Sequence, residues 1–396
     1  MKIVCAIDSF KRSLCSRKAA SLAEEEARRI LPDSEFVGFG VADGGEGTAE
    51  VVVAACGGEF REAIVQDPLG RAIEARYGIL PDGTAIIEMA EASGLTLLSE
   101  GEQNPLRATS FGTGQLIHDA LDQGASAIVL ALGGSATNDA GTGALEALGV
   151  RFLDSAGNSL RGNGENLESI SAVDLSGLDP RITQTRFTTL CDVDSPLVGI
   201  NGATMMFGRQ KGASDASLQR LEHGMRSYLE ILNRSTTGFD EMPGDGAAGG
   251  MGLAVRIFLR ARMERGADWI LDSMGFDHVL RDADLCITGE GHADGQSVNG
   301  KLVSRIGKRC RSAGVPCIAI VGGMDESACG LEDCGVNAIY PSVIDCCSRE
   351  EAIRHAERNF RLAVDRVLTS IEIGLKAGCG ETEPKQDGTY KGDEHE

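Results

Sequence analysis

The chain has 396 residues, 42% apolar but only 4% aromatic, enough for two globular domains with cores built on Ala, Val, Ile and Leu. Its formal charge of −21 repels nucleic acid and anionic lipid, so an anionic ligand needs local cations at its site. The opening apolar run meets Asp8 too early for a signal peptide, no stretch is apolar enough to span a membrane, and twelve cysteines without a CxxC pair fit a reducing, cytoplasmic compartment.

Residues 2–7 (KIVCAI) predict a buried strand. A helix over 16–31 follows, with Ser16 as N-cap and Ala19, Ala20, Leu22, Ala23, Ala27 and Ile30 on its apolar face. A strand over 35–41 leads to a helix through Val51–Ala55. Residues 60–90 break into short pieces at Asp-Pro-Leu-Gly and Pro-Asp-Gly turns, which predicts antiparallel hairpins or a mixed sheet. A helix (113–123), a strand (126–132) and a helix (141–149) come next. The pattern returns with strand 283–288, helix 301–313, strands 315–321 and 336–340, and a long helix over 348–374. Such alternation implies a parallel sheet with helices on both faces. The expected plan is a discontinuous α/β domain (1–59 plus 281–375), an inserted α/β domain (60–280) and a polar, disordered tail (376–396). Ligands favour clefts between domains and the carboxyl ends of parallel strands.

Several strand-like runs end in clusters of glycine, hydroxyl and carboxylate residues. These are Asp8-Ser9-Phe10-Lys11, Asp43-Gly44-Gly45-Glu46-Gly47-Thr48, Gly133-Gly134-Ser135-Ala136-Thr137-Asn138-Asp139, Asp192-Val193-Asp194 and Thr288-Gly289-Glu290-Gly291-His292-Ala293-Asp294. One alone is an ordinary turn. Together, glycines that let backbone N–H groups approach phosphate oxygens and carboxylates that hold Mg²⁺ read as a magnesium–nucleotide site. Residues 295–301 (GQSVNGK) match the frame of a Walker A loop, but Leu302 stands where Ser or Thr is needed. Lys301 is still expected to start a helix and contact a phosphate. Further glycine-rich turns before helices occur at 110–114, 207–213 and 244–252. The six histidines show no metal spacing, and no Gly-x-Ser-x-Gly or HExxH occurs, which disfavours serine and zinc hydrolases.

In this order the blocks AIDSFK (6–11), ADGGEGT (42–48), IEMAEASGL (87–95), NPLRATSFGTG (104–114), GGSATNDAGTG (133–143), CDVDSPL (191–197), FGRQKGA (207–213), GAAGGMG (246–252) and TGEGHADGQSVNGK (288–301) resemble the glycerate kinase family over residues 1 to about 375. The resemblance implies ATP-dependent phosphorylation of D-glycerate on a two-domain fold: a Rossmann/flavodoxin-like parallel-sheet domain, an inserted mixed-sheet domain and an active site in the cleft between them. The expected product is 2-phosphoglycerate, formed in glycerate and sugar-acid catabolism. Formation of 3-phosphoglycerate, action on another small hydroxy acid and a non-catalytic glycerate sensor stay open as alternatives. The sequence departs from the family pattern at Ile7 (usually proline), His292 (usually arginine), Ser195 (usually asparagine) and Arg209 (usually proline).

Phosphoryl transfer needs positioning, charge neutralisation and a base for the attacking hydroxyl. Asp192 is the expected base, with Asp43 second, and Lys11 is expected to stabilise phosphoryl oxygens. Asp8, Ser9, Ser110, Thr113 and Lys211 are expected at the substrate. Gly44, Gly45, Gly133, Gly134, Ser135, Thr137, Gly289, Gly291 and Lys301 are expected at the ATP phosphates, and Glu46, Glu290 and Asp294 at Mg²⁺. The partners are glycerate and ATP, with no nucleic acid and no membrane, and a homodimer is compatible with the sequence.

Overall fold

The computed structural model describes residues 1–10, 13–42, 44–45, 47–235, 240–298, 300–343 and 347–379. The apolar runs become strands β1 (Lys2–Ile7), β2 (Glu35–Gly40), β3 (Glu59–Gln66), β4 (Ala72–Ile79), β5 (Thr84–Glu88), β6 (Ala127–Ala131), β7 (Arg151–Leu153), β8 (Ser159–Leu160), β9 (Ala172–Asp174), β10 (Arg186–Leu190), β11 (Arg262–Glu264), β12 (Leu285–Gly289), β13 (Cys317–Val321) and β14 (Ala338–Pro341).

The first sheet has the order β14-β13-β12-β1-β2, and every pair in it is parallel. Counted within that sheet, the order from the β2 edge is 2-1-3-4-5, the flavodoxin-like arrangement. Its strands come from both ends of the chain, and they alternate their side chains between two buried faces. Ile3, Cys5, Ile7 and Ile287 pack on the helix Ser16–Ile30 and the helix Ala356–Cys379. Val4, Ala6, Cys286 and Cys317 face the helices Gly266–Ser273, Phe276–Leu280 and Leu302–Ala313.

The second sheet has the order β11-β10-β6-β5-β4-β3. Strands β5, β6, β10 and β11 are parallel, while β3–β4 and β4–β5 are antiparallel, so this is the mixed sheet that the 60–90 turns imply. One face packs under helices Phe111–Asp122, Asp215–Ser235 and Ala247–Phe258. The other face presents Ile86, Val129 and Leu190 to Ala49 and Val52 of the helix Thr48–Cys56 and to Ile270 of Gly266–Ser273. These two helices therefore lie between the sheets.

A small antiparallel sheet, β8-β7-β9, is absent from the sequence expectations, because strands of two or three residues carry too little alternation to register. The last long helix divides at His355 into Arg349–Arg354 and Ala356–Cys379, and so runs past residue 375. Among the described residues no helix is long and apolar enough to cross a membrane.

Candidate active site

Among the described residues, Asp8, Ser9, Gly133, Gly134, Asp192, Gly289, Glu290 and Gly291 lie at or just past the carboxyl ends of parallel strands. In the first sheet the order reverses between β1 and β12, and ligands in such folds bind at that switch point. Asp8 and Ser9 leave β1 there, and Glu290 and Gly291 leave β12. The Asp8 N–H donates to the Gly289 carbonyl at 2.9 Å, which ties the two strand ends together, and Asp8 Oδ1 accepts from the Ser9 N–H at 2.6 Å.

Glu290 is buried, and burial raises its carboxyl above the usual glutamate range. Lys301, the N-cap of Leu302–Ala313, points its Nζ back to Asp294 Oδ1 at 3.1 Å and Glu290 Oε2 at 3.6 Å. The lysine and the carboxylates expected around phosphate and metal thus converge, with Lys301 already paired. Glu290 Oε1 is buried without a hydrogen-bond partner among the described residues. His292 is exposed beside Gly323.

The loop after β2 crosses to the second sheet. Gly44 and Gly47 adopt φ of +85° and +88°, conformations that favour glycine. A Cβ on Gly44 would lie 2.9 Å from Gly266 Cα, 3.2 Å from Leu190 Cβ and 3.7 Å from Asp192 Oδ2. A Cβ on Gly133, at the end of β6, would lie 2.5 Å from Gly45 Cα. The glycines therefore let this loop sit backbone-to-backbone against the ends of β6 and β10. Buried Glu88, at the end of β5, holds it there: its carboxylate accepts from the Gly47 N–H at 3.0 Å and the Ala49 N–H at 2.7 Å, at the positive end of the helix Thr48–Cys56. Asp192 is exposed after β10, and its Oδ1 accepts from the Gly266 N–H at 3.1 Å. Its neighbour Asp194 pairs with Arg265 at 2.6 Å. Lys11, Asp43 and Glu46 lie outside the described residues.

Beneath Gly133 and Gly134 lies a buried polar cluster. Lys211 is 3% exposed, and its Nζ donates to Ser135 Oγ at 2.8 Å and the Thr137 carbonyl at 2.7 Å. Burial lowers this lysine to about 8, against a smaller opposing pull from Asp139. Asp139 is fully buried and accepts from the Ser110 N–H and Oγ and from the N–H groups of Gly141 and Gly143, at 2.7–3.3 Å. Desolvation still raises its carboxyl. The left-handed turn Ala248-Gly249-Gly250 braces the loop from behind, and a Cβ on Gly249 would lie 2.1 Å from the Thr137 carbonyl. Ser110 and Thr113 are fully buried, their hydroxyls bonded to Asp139 and Ser93.

The structure thus brings Ser135, Thr137 and Lys211 into one cluster, Glu290, Asp294 and Lys301 into a second, and Gly44, Gly45, Gly133 and Asp192 into a third. Asp139 already stands in one of the sequence clusters expected at the phosphates, whereas Glu88, in the block 87–95, was not expected at the site; a carboxylate inside an otherwise apolar run was the available signal. The whole can present backbone N–H groups and a buried ammonium to an anion, with a carboxylate at hand for a proton.

The fold and these strand-end loops define an α/β enzyme built on two large sheets and a small third one. The model of the glycerate kinase family matches residues 3–372. Over 378 residues the chain is 40% identical to the glycerate 2-kinase of Escherichia coli K12, covering 95% of this chain and 99% of that one. It is 39% identical over 375 residues to the glycerate kinase of Bacillus subtilis 168, covering 94% and 98%. A Salmonella typhimurium LT2 crystal structure assigned as glycerate kinase 2 superposes with a TM-score of 0.83 at 38% identity, covering 95% of this chain and 99% of that one. The chain belongs to the glycerate kinase family, and it is a kinase.

Proposed function

We propose that the chain transfers the γ-phosphoryl group of ATP to a hydroxyl of D-glycerate, forming 2-phosphoglycerate in the cytoplasm during glycerate and sugar-acid catabolism. The observation that carries this reading is the loop after β2, which brings glycine backbone from the first sheet onto the ends of β6 and β10 beside Asp192. We read residues 1–59 with 281–375 as one domain and 60–280 as the other, with the reaction between them. Asp192 accepts the proton of the attacking glycerate hydroxyl as the oxygen–phosphorus bond forms and the bond to ADP breaks. Asp43 is the second candidate for that proton, and Lys11 and Lys211 supply positive charge. Asp8, Ser9, Ser110 and Thr113 shape the substrate region, directly or through the backbone they hold. Gly44, Gly45, Gly133, Gly134, Ser135, Thr137, Gly289, Gly291 and Lys301 surround the phosphates.

Magnesium fits Glu290 and Asp294. Both offer hard oxygen donors, and the unpartnered Oε1 of Glu290 is a free one among the described residues. Glu46 is the third candidate. The ion, when bound, neutralises phosphate charge.

³¹P NMR of the product from D-glycerate and ATP tests the reading. A 2-phosphoglycerate resonance is expected, and Asp192→Asn should slow its appearance about 10²–10⁴-fold. A 3-phosphoglycerate product overturns the position of attack, and near-normal turnover by the variant removes Asp192 as the base.

A further inference from the structure

The parallel sheet holds a group of side chains that phosphoryl transfer leaves unused. Cys286 on β12 and Cys317 on β13 are register partners on adjacent strands, so they share a face of the sheet. Cys310 descends onto that face from the helix Leu302–Ala313. All three are 0% exposed, and their Sγ atoms lie within 4.8 Å of one another. Among the described residues this is the one such convergence of three His, Cys, Asp or Glu side chains. Leu280, Ile306, Val315 and Val336 belong to the same apolar core.

Burial requires only that each thiol be covered. It does not require sulfurs from two strands and a helix to meet in a triangle. Metal–sulfur bonds of about 2.3 Å place three sulfurs about 4 Å apart around one ion, within the observed limit.

We propose that Cys286, Cys310 and Cys317 form a three-thiolate site for one copper(I) ion, taken up as the chain folds. Thiolates select soft ions such as copper(I) and zinc. Structural zinc takes four ligands, and no fourth His, Cys or carboxylate joins this triangle among the described residues. Copper(I) is satisfied by three sulfurs. Binding displaces thiol protons to solvent and changes no oxidation state. Because the sulfurs are enclosed, the ion must enter during folding, and its binding energy then becomes folding energy.

The test refolds the full chain anaerobically with copper(I)–glutathione, then removes loose copper by gel filtration with a copper(I) chelator. The expected result is about one copper per chain, a thiolate-to-copper charge-transfer band and a raised Tm. Cys310→Ala alone, and all three positions changed to Ala, should lose the metal and the Tm increment while keeping kinase activity. The control Cys15→Ser/Cys329→Ser/Cys347→Ser, which removes exposed thiols, should keep both. If the triple core variant fails to fold, the Cys310→Ala result decides. Copper retention that survives Cys310→Ala, or that is lost from the exposed-thiol control, overturns the site. No retained copper overturns it as well, and zinc held as tightly at the same sulfurs overturns the choice of ion.

Discussion

At the scale of single residues, Lys211 shows how environment sets chemistry. Among the described residues its Nζ donates to Ser135 Oγ and the Thr137 carbonyl in a dry setting, and burial lowers it from 10.5 to about 8. Between those values the unfolded chain holds the proton and the folded chain does not. Folding stability from this group therefore rises with pH through that window, and the cost of burying the ammonium is felt in full below it. Lys211→Met lacks the rise. Urea midpoints at pH 7.5 and 10 should show the gap between the two proteins moving in favour of the parent chain at the higher pH; a constant gap would refute the buried-ammonium account. The sequence marked Lys211, a lysine between glycines, as a cation expected at the substrate. Its contact with Ser135, 76 residues away, was not legible there.

At the scale of elements, the helix Thr48–Cys56 is tied to the second sheet by a charge at its amino end. Its N-cap, Gly47, makes no side-chain cap, and Glu88 from β5 accepts from the Gly47 and Ala49 N–H groups instead. Glu88→Ala leaves these donors unpaired in a buried place. A loss of about 2 kcal/mol is expected from urea unfolding, the scale of hydrogen bonds to a charged group. Turnover should fall with it, since the same contacts hold Gly44 and Gly45 against Gly133. Stability within about 0.5 kcal/mol of the parent would show that the helix is held by packing alone. Most such elements were readable in advance, because runs such as KIVCAI and the Ala/Leu periodicity of 16–31 are local signals. The β7–β9 sheet and the break at His355 were not, since the first is too short for a period and the second interrupts none.

At the scale of the molecule, a charge of −21 acts on the two anionic substrates of the proposed reaction. Among the described residues, two cations near the strand ends are matched: Lys301 by Glu290 and Asp294, Arg265 by Asp194. The long-range field should therefore slow encounter. Raising ionic strength from about 10 mM to about 150 mM shortens the Debye length from about 30 Å to about 8 Å, and kcat/KM for glycerate should rise at saturating magnesium. A fall would show that local cations already reverse the field at the site. By itself, the sequence determined the family, the α/β class, the mixed character of the 60–90 region and which loops hold glycine and carboxylate, because each is written in local pattern or in the order of motifs. Only the tertiary structure decided the flavodoxin-like strand order, the approach of the β2 loop to β6 and β10, the pairing of Lys301 and the convergence of three cysteines. Those depend on contacts between residues far apart in the chain, which backbone packing sets and local composition does not encode.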